Sequence, residues 1–173
     1  YPSSLRIRID LSPTSLMPCN LYGPNDNFDL KNSHFVPALI RKIIDSKKNN
    51  KKNIEIWGTG KAKREVMHVD DLAQAIYFIV KKKIANDRNL LKILKKTSLI
   101  NVGSGKEYTI KEVAKKICII EKVGKKLFFN KKYPDGTKRK VVDNRLLKKL
   151  GWKSKISLDE GLSKTINWYK NNY

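Results

Sequence analysis

The chain is predicted to be an α/β protein, because short runs of strand character alternate along it with longer segments of helical period. Three places carry the prediction. A mostly apolar run at 15–19 (SLMPC) meets a turn-rich stretch at 20–34 (NLYGPNDNFDLKNSH) and then an amphipathic segment. An alternating NIEIW at 53–57 is closed by Gly-Thr-Gly, and SLINV at 98–102 is closed by Gly-Ser-Gly; helical periodicity resumes downstream of each.

Residues 1–14 (YPSSLRIRIDLSPT) hold an alternating Leu5-Arg6-Ile7-Arg8-Ile9 that fits an edge strand and carries no functional signal. The run at 15–19 suits a buried strand, so the following loop would leave that strand's carboxyl end, where open α/β sheets place their ligands. Tyr22, Gly23, Pro24, Asn25, Asp26 and Asn27 argue against regular structure there, since Gly and Pro punctuate the backbone and Asn and Asp favour local turns. Ser33 is the expected cap of a helix with apolar positions Phe35, Ala38, Leu39, Ile43 and Ile44; Pro37 falls in the first turn, where its missing N–H is harmless. His34, one of only two histidines, then stands at a helix start beside the loop. A solvated run at 47–52 ends this helix.

The strand at 53–57 turns at Gly58-Thr59-Gly60, which is no dinucleotide fingerprint, because it lacks the third glycine and the preceding βαβ start. A strand at 65–69 leads into a helix with Leu72, Ala75, Ile76, Ile79 and Val80 on its apolar face, capped by Asp70 or Asp71. Paired aspartates also suit acid–base or metal chemistry, but capping and complementing the helix dipole explain them more simply. A lysine-rich connector at 81–97 contains a short helix near 90–94, and Thr109 opens a helix through Val113, Ile117 and Ile120 with Glu112 in the capping-box position. A strand at 126–129, the turn Tyr133-Pro134-Asp135-Gly136, the basic run Lys138-Arg139-Lys140, a short helix at 144–150 ended by Gly151, and an amphipathic helix at 158–169 complete the chain.

A chain of 173 residues has room for one ordinary domain with a real core. It begins at Tyr1, shows no charged-then-apolar leader and contains no run of roughly 18 apolar residues, so a soluble, cytoplasmic chain lacking its amino end is expected. Cys19 and Cys118 are too few for a disulfide framework and stand in no close Cys or His pair, so no metal site is expected and both read as small buried apolar residues. A formal charge of +22 ordinarily points to a polyanion. Here the excess is nearly all lysine and is scattered along the chain, so nucleic acid is not the expected partner. The same charge can still concentrate phosphate-bearing ligands.

The run LMPCNLYGPNDNFDLKNSHFVPALIRKI, followed in order by IEIWGTGKAKREVMHVDDLAQA, INVGSGKEYTI, PDGTKRKVVD and LGWKSKISLDEGLSKTINWY, resembles the GDP-L-fucose synthases of the extended short-chain dehydrogenase/reductase family. The Tyr-Gly-Pro turn alone marks the broader family; the Asp-Asn, Asn-Ser-His and PALIRK pieces narrow it. The resemblance covers residues 15–173 and leaves residues 1–14 unmatched. It implies the distal part of a Rossmann-type NAD(P)-binding fold plus the smaller carboxy-terminal substrate-binding α/β domain. NADP(H) is the implied cofactor, a GDP-sugar the implied substrate and a homodimer the implied complete enzyme. The implied reaction turns GDP-4-keto-6-deoxy-D-mannose into GDP-L-fucose by epimerisation at C3 and C5 and NADPH-dependent reduction at C4. The family's glycine-rich cofactor loop, its Ser, Tyr and Lys catalytic group and its epimerisation cysteine lie upstream of anything in this sequence, so the chain alone is expected to be inactive. Two alternatives stay open: a sibling acting on another nucleotide sugar, and a non-catalytic basic module that binds polyanions.

Residue by residue, the resemblance places Pro18, Cys19, Asn20 and Leu21 at the nicotinamide end of NADP, with Asn20 also near the sugar. His34 matches a histidine that contacts the cofactor and moves protons during epimerisation, a task suited to an imidazole whose ordinary pKa is about 6.5. A capping or merely cofactor-contacting His34 is the plainer reading. Lys42, Arg64 and Lys140 are the implied substrate cations, Lys42 standing where many relatives carry arginine, with the loss of its two-pronged geometry. Arg64 alternatively pairs with Glu65 or a nearby aspartate. Trp57 covers the base or sugar, or is core, and Asp135 accepts from sugar hydroxyls, or serves an ordinary Pro-Asp-Gly turn. His68 has no match and reads as a satisfied strand residue.

Overall fold

A computed structural model describes residues 14–85, 87–124 and 126–173; the edge strand expected at 5–9 lies outside the described residues. The α/β expectation holds, with eight strands and six helices among the described residues. Strand β1 (Ser15–Pro18) pairs in parallel with β5 (Leu99–Val102), and β2 (Asn20–Tyr22) pairs in parallel with β4 (Lys63–His68). Only Cys19 separates β1 from β2, and its N–H still bonds the Val102 carbonyl at 2.9 Å. The chain therefore changes partner at Cys19, which opens a crevice there.

Strand β4 is the hub. It also takes β6 (Glu107–Thr109) antiparallel and β8 (Arg139–Lys140) parallel, while β3 (Asn53–Trp57) pairs in parallel with β7 (Lys126–Asn130). The turn-rich stretch thus begins as strand through Tyr22, not as loop, because pairing with β4 outweighs the turn propensity of its neighbours. Strands β6 and β8 were not predicted; at three and two residues they are too short to show a period.

Helices α1 (Phe35–Lys48), α4 (Ile110–Ile120) and α6 (Leu158–Asn172) supply one core with Ile54, Ile56 and Val66. A second core forms where α2 (Val69–Ile84), α3 (Arg88–Leu94) and α5 (Arg145–Lys149) meet Met67, Ile100, Val102 and Trp152. The capping box of α4 is present, with Thr109 N–H donating to the Glu112 carboxylate at 2.7 Å and Glu112 N–H to the Thr109 hydroxyl at 3.1 Å.

Two caps differ from expectation. His34, not Ser33, is the N-cap of α1, without a side-chain cap bond, and the Ser33 hydroxyl is buried with no partner among the described residues. His68, not an aspartate, caps α2, its Nδ1 accepting the Asp70 N–H at 3.3 Å. Asp70 and Asp71 keep the dipole role in the first turn. Asp71 is also 2% exposed and accepts from the Ser154 hydroxyl at 2.7 Å and the Ile156 N–H at 3.0 Å, tying α2 to the segment before α6. The apolar face of α2 is narrower than predicted: Ala75 and Ile79 are buried, whereas Ile76 and Val80 are exposed.

Candidate functional site

At the carboxyl ends of β1 and β2 lies a cavity of about 410 Å³, walled by those strands, residues 23–26, His34, Val69 and residues 140–142. It gathers Pro18, Cys19, Asn20, Leu21, His34 and Lys140, and its lining omits Lys42, Trp57, Arg64 and Asp135. The loop that carries His34 is held by its own side chains. Phe28 is fully buried, its ring 4.6 Å from that of Tyr169 and 6.0 Å from that of Trp168, and Arg41 donates to the Phe28 carbonyl at 3.1 Å. Asp29 accepts from the amides of Lys31 and Asn32, forming a compact turn. Sequence reasoning overlooked Phe28, although a lone large apolar residue in a polar run is a visible signal.

The electrostatics of the cavity are uneven. Burial, with a smaller contribution from Glu65, pushes the Cys19 thiol up to about 12, so it is neutral and unsuited to act as a nucleophile. Burial likewise raises the Asp26 carboxyl above its ordinary range, against the opposing hydrogen bond from the Asn27 N–H and a smaller pull from His34. Asn20 donates its amide to the Glu65 carbonyl at 2.7 Å, which fixes the side chain and turns its oxygen to other partners.

Glu65 is a residue the sequence reading valued only as a foil for Arg64. It is 2% exposed, and its carboxylate accepts from the Gly105 N–H at 2.7 Å and the Val142 N–H at 2.9 Å. One buried carboxylate thus clasps β4, the turn after β5 and the cavity wall after β8. The postulated Arg64–Glu65 pair is absent; of the nearby aspartates, Asp135 has its pKa lowered by the Thr59 hydrogen bonds and, to a smaller extent, by the Arg64 charge. The available signal was an acid inside the otherwise apolar strand Glu65-Val66-Met67.

Of the remaining predicted residues, Lys42 lies on α1, Trp57 ends β3, Arg64 lies on β4, and Asp135 stands in the loop between β7 and β8, which is zipped to the loop between β3 and β4. Thr59 donates its N–H and its hydroxyl to the Asp135 carboxylate at 2.6 and 2.5 Å. Gly58 permits this approach: it has φ +80°, and a Cβ there would lie 2.3 Å from the Asp135 oxygen. Further along, Lys63 N–H bonds the Lys138 carbonyl at 2.8 Å, and the Arg64 guanidinium donates through Nη1 to the carbonyls of Thr137 and Lys63 at 2.6 and 2.8 Å. The Arg64 Nε and Nη2 make no such bond among the described residues. Register places Lys140 opposite Arg64, so Lys140 joins the zipped loops to the cavity. Trp57 is half exposed rather than core, and Lys42 stands 4.3 Å from its ring centroid with its pKa lowered by burial against an opposing effect of Glu55.

His68 also departs from expectation. It is 1% exposed, and its Nε2 has no partner among the described residues. Because Nδ1 accepts the Asp70 amide, the ring is neutral, and the Asp70 carboxylate 3.5 Å away is not in an ion pair with it. Burial is the first cause that lowers its pKa. Unfolded histidine binds protons below about pH 6.5, while this buried ring resists them, so its contribution to stability is complete above that pH and is lost as pH falls. Thermal midpoints measured from pH 7.5 to 5 are expected to fall less steeply in His68→Asn than in the unaltered chain; equal slopes would refute this.

The family model of the NAD dependent epimerase/dehydratase family matches residues 5–103, more than half the chain. The chain belongs to that family. The match starts inside the first 14 residues. This epimerase/dehydratase chain is 41% identical over 167 residues to the probable GDP-L-fucose synthase 1 of Oryza sativa subsp. japonica, covering 96% of the chain and 48% of that protein. It is 40% identical over 158 residues to the GDP-L-fucose synthase of Escherichia coli (strain K12), covering 91% of the chain and 49% of that protein. Among solved structures, the GDP-6-OMe-4-keto-L-xylo-heptose reductase from C. jejuni superposes with a TM-score of 0.76 at 35% identity, covering 92% of the chain and 54% of that structure. The chain spans about half the length of the curated relatives it matches. Its fold is of the Rossmann type seen in these NAD(P)-dependent enzymes.

Proposed function

We propose that this chain is the carboxy-terminal, substrate-binding portion of a GDP-L-fucose synthase, which makes GDP-L-fucose from GDP-4-keto-6-deoxy-D-mannose by 3,5-epimerisation and NADPH-dependent 4-reduction. The observation that carries the reading is continuity: His34 and Asn20 share one cavity with Lys140, and Lys140 on β8 lies opposite Arg64 on β4, whose preceding loop begins at exposed Trp57. A proton-transfer group, a cation row and a flat apolar surface follow one another as a nucleotide sugar requires.

In this reading Arg64 and Lys140 hold the diphosphate through charge-assisted bonds, with Lys42 as a further cation. Asn20 orients the sugar and His34 exchanges a proton at the carbons beside the keto group, opposite a cysteine from the upstream half. Asp135 holds the loops through Thr59, and a sugar hydroxyl can still use its remaining lone pairs. Pro18, Cys19, Asn20 and Leu21 fit the nicotinamide end of NADP(H), because they form a strand-end wall whose thiol is neutral and offers no competing nucleophile. NADPH, when bound, supplies the hydride for C4. The working enzyme is taken as a cytoplasmic homodimer, and this chain as its distal segment.

The kinship with a reductase of another GDP-linked keto sugar favours a second reading, in which the same site takes a different sugar. Turnover in deuterated water separates the two. A protein joining this chain to its amino-terminal cofactor half should place deuterium at C3 and C5 of the product; label at neither carbon would leave only the sibling reading.

A further inference from the structure

The rings of Trp57 and Tyr133 are stacked with centroids 4.5 Å apart and planes at 19°. Both remain open to solvent, at 51% and 41% exposure. An exposed indole at a strand end would ordinarily sample several rotamers, and fixing it on ligand binding costs free energy. Here the stack is secured from both sides. On the strand side Trp57 lies opposite Asn130 in the β3–β7 register, Asn130 takes the Tyr133 N–H at 3.3 Å, and the Asn130 amide donates to Glu55 at 2.6 Å. On the loop side Asp135, two residues past Tyr133, is locked to Thr59, two residues past Trp57. The Lys42 ammonium lies over the ring, 4.3 Å from its centroid, and a base taking that face would displace this flexible cation toward the diphosphate.

We infer that Tyr133 is a positioning residue for nucleotide recognition: it fixes the plane of Trp57 so that the indole receives the nucleobase of the GDP-sugar. The inference rests on the GDP-sugar reading above and gives Tyr133 a task that the sequence did not. Base stacking on an aromatic ring is a substantial part of nucleotide affinity, and it is largest when the ring is already in place. The diphosphate cations Arg64 and Lys140 lie on β4 and β8, the paired strands into which the same two loops run, so base and phosphates would be read by one rigid unit.

Calorimetric titration of the chain with GDP and, separately, with inorganic pyrophosphate tests this, since pyrophosphate has the charge and lacks the base. Tyr133→Ala is expected to weaken GDP about tenfold and leave pyrophosphate unchanged, whereas Tyr133→Phe, which keeps the stack, stays within about twofold of the unaltered chain. The Trp57 emission, taken as the difference from Trp57→Phe, should shift in Tyr133→Ala and not in Tyr133→Phe. Unchanged GDP affinity in Tyr133→Ala, or an equal loss for GDP and pyrophosphate, overturns the inference and leaves the GDP-sugar reading standing. An unaltered chain that binds neither probe overturns both. Tyr133→Leu, apolar and similar in bulk, replaces Tyr133→Ala should the latter fail to fold, with the same outcomes.

Discussion

Glu65→Ala should destabilise the chain by about 3 to 5 kcal/mol in urea unfolding, the largest loss expected of any single site residue. The carboxylate is 2% exposed and receives two backbone N–H groups, those of Gly105 and Val142, which alanine would leave buried and unsatisfied. Charge-assisted bonds of this kind stabilise more than neutral ones, and losing one acceptor with two donors compounds the cost. Glu65→Gln keeps the shape but turns one acceptor into a donor facing an N–H, so an intermediate loss is expected. The wall at 140–142 should loosen with it, lowering GDP affinity. An alanine variant within about 1 kcal/mol of the unaltered chain would show that Glu65 is not the clasp described.

His34→Asn is expected to cut GDP-L-fucose formation by about 10² to 10⁴, the usual span for loss of general acid–base help, in a protein that joins the chain to its cofactor half. Asparagine is a good N-cap residue, so α1 should be retained and NADPH binding with it. Inversion at carbon needs groups on both faces of the sugar, and in the proposed reading His34 serves one face and a cysteine of the upstream half the other. Phe28 and the Asp29 turn hold the histidine's loop against the core, so His34 lines the cavity although its side chain makes no helix cap bond. Formation of GDP-L-fucose at the unmutated rate would remove His34 from the chemistry.

Strands β1, β3, β4, β5 and β7, the main helices and the Thr109 capping box were legible because periodicity and local caps are written within a few residues. The cavity's residues were legible through resemblance at the strand-end loop. What was not legible depended on partners far along the chain. Asn20 to Tyr22 became strand because β4, more than 40 residues later, pairs with it. His68 displaced the aspartates as cap because Asp71 is engaged by residues 154–156. Asp135 and Arg64 looked like isolated ligand groups, yet each closes a contact between two loops over 70 residues apart, which no local pattern reports. The wide apolar face assigned to α2 failed for a similar reason: period marks which residues can be buried, and only packing partners decide which are.

Recognition of a GDP-sugar by the zipped loops is tested most directly by titrating the chain with GDP at physiological ionic strength, with and without Arg64→Ala. Saturable binding is predicted, weakened by about 1.5 to 3 kcal/mol in a folded Arg64→Ala variant, because the guanidinium's remaining donors then no longer meet the diphosphate. Unchanged affinity in the folded variant, or no GDP binding beside steeply salt-dependent binding of random DNA, would contradict it.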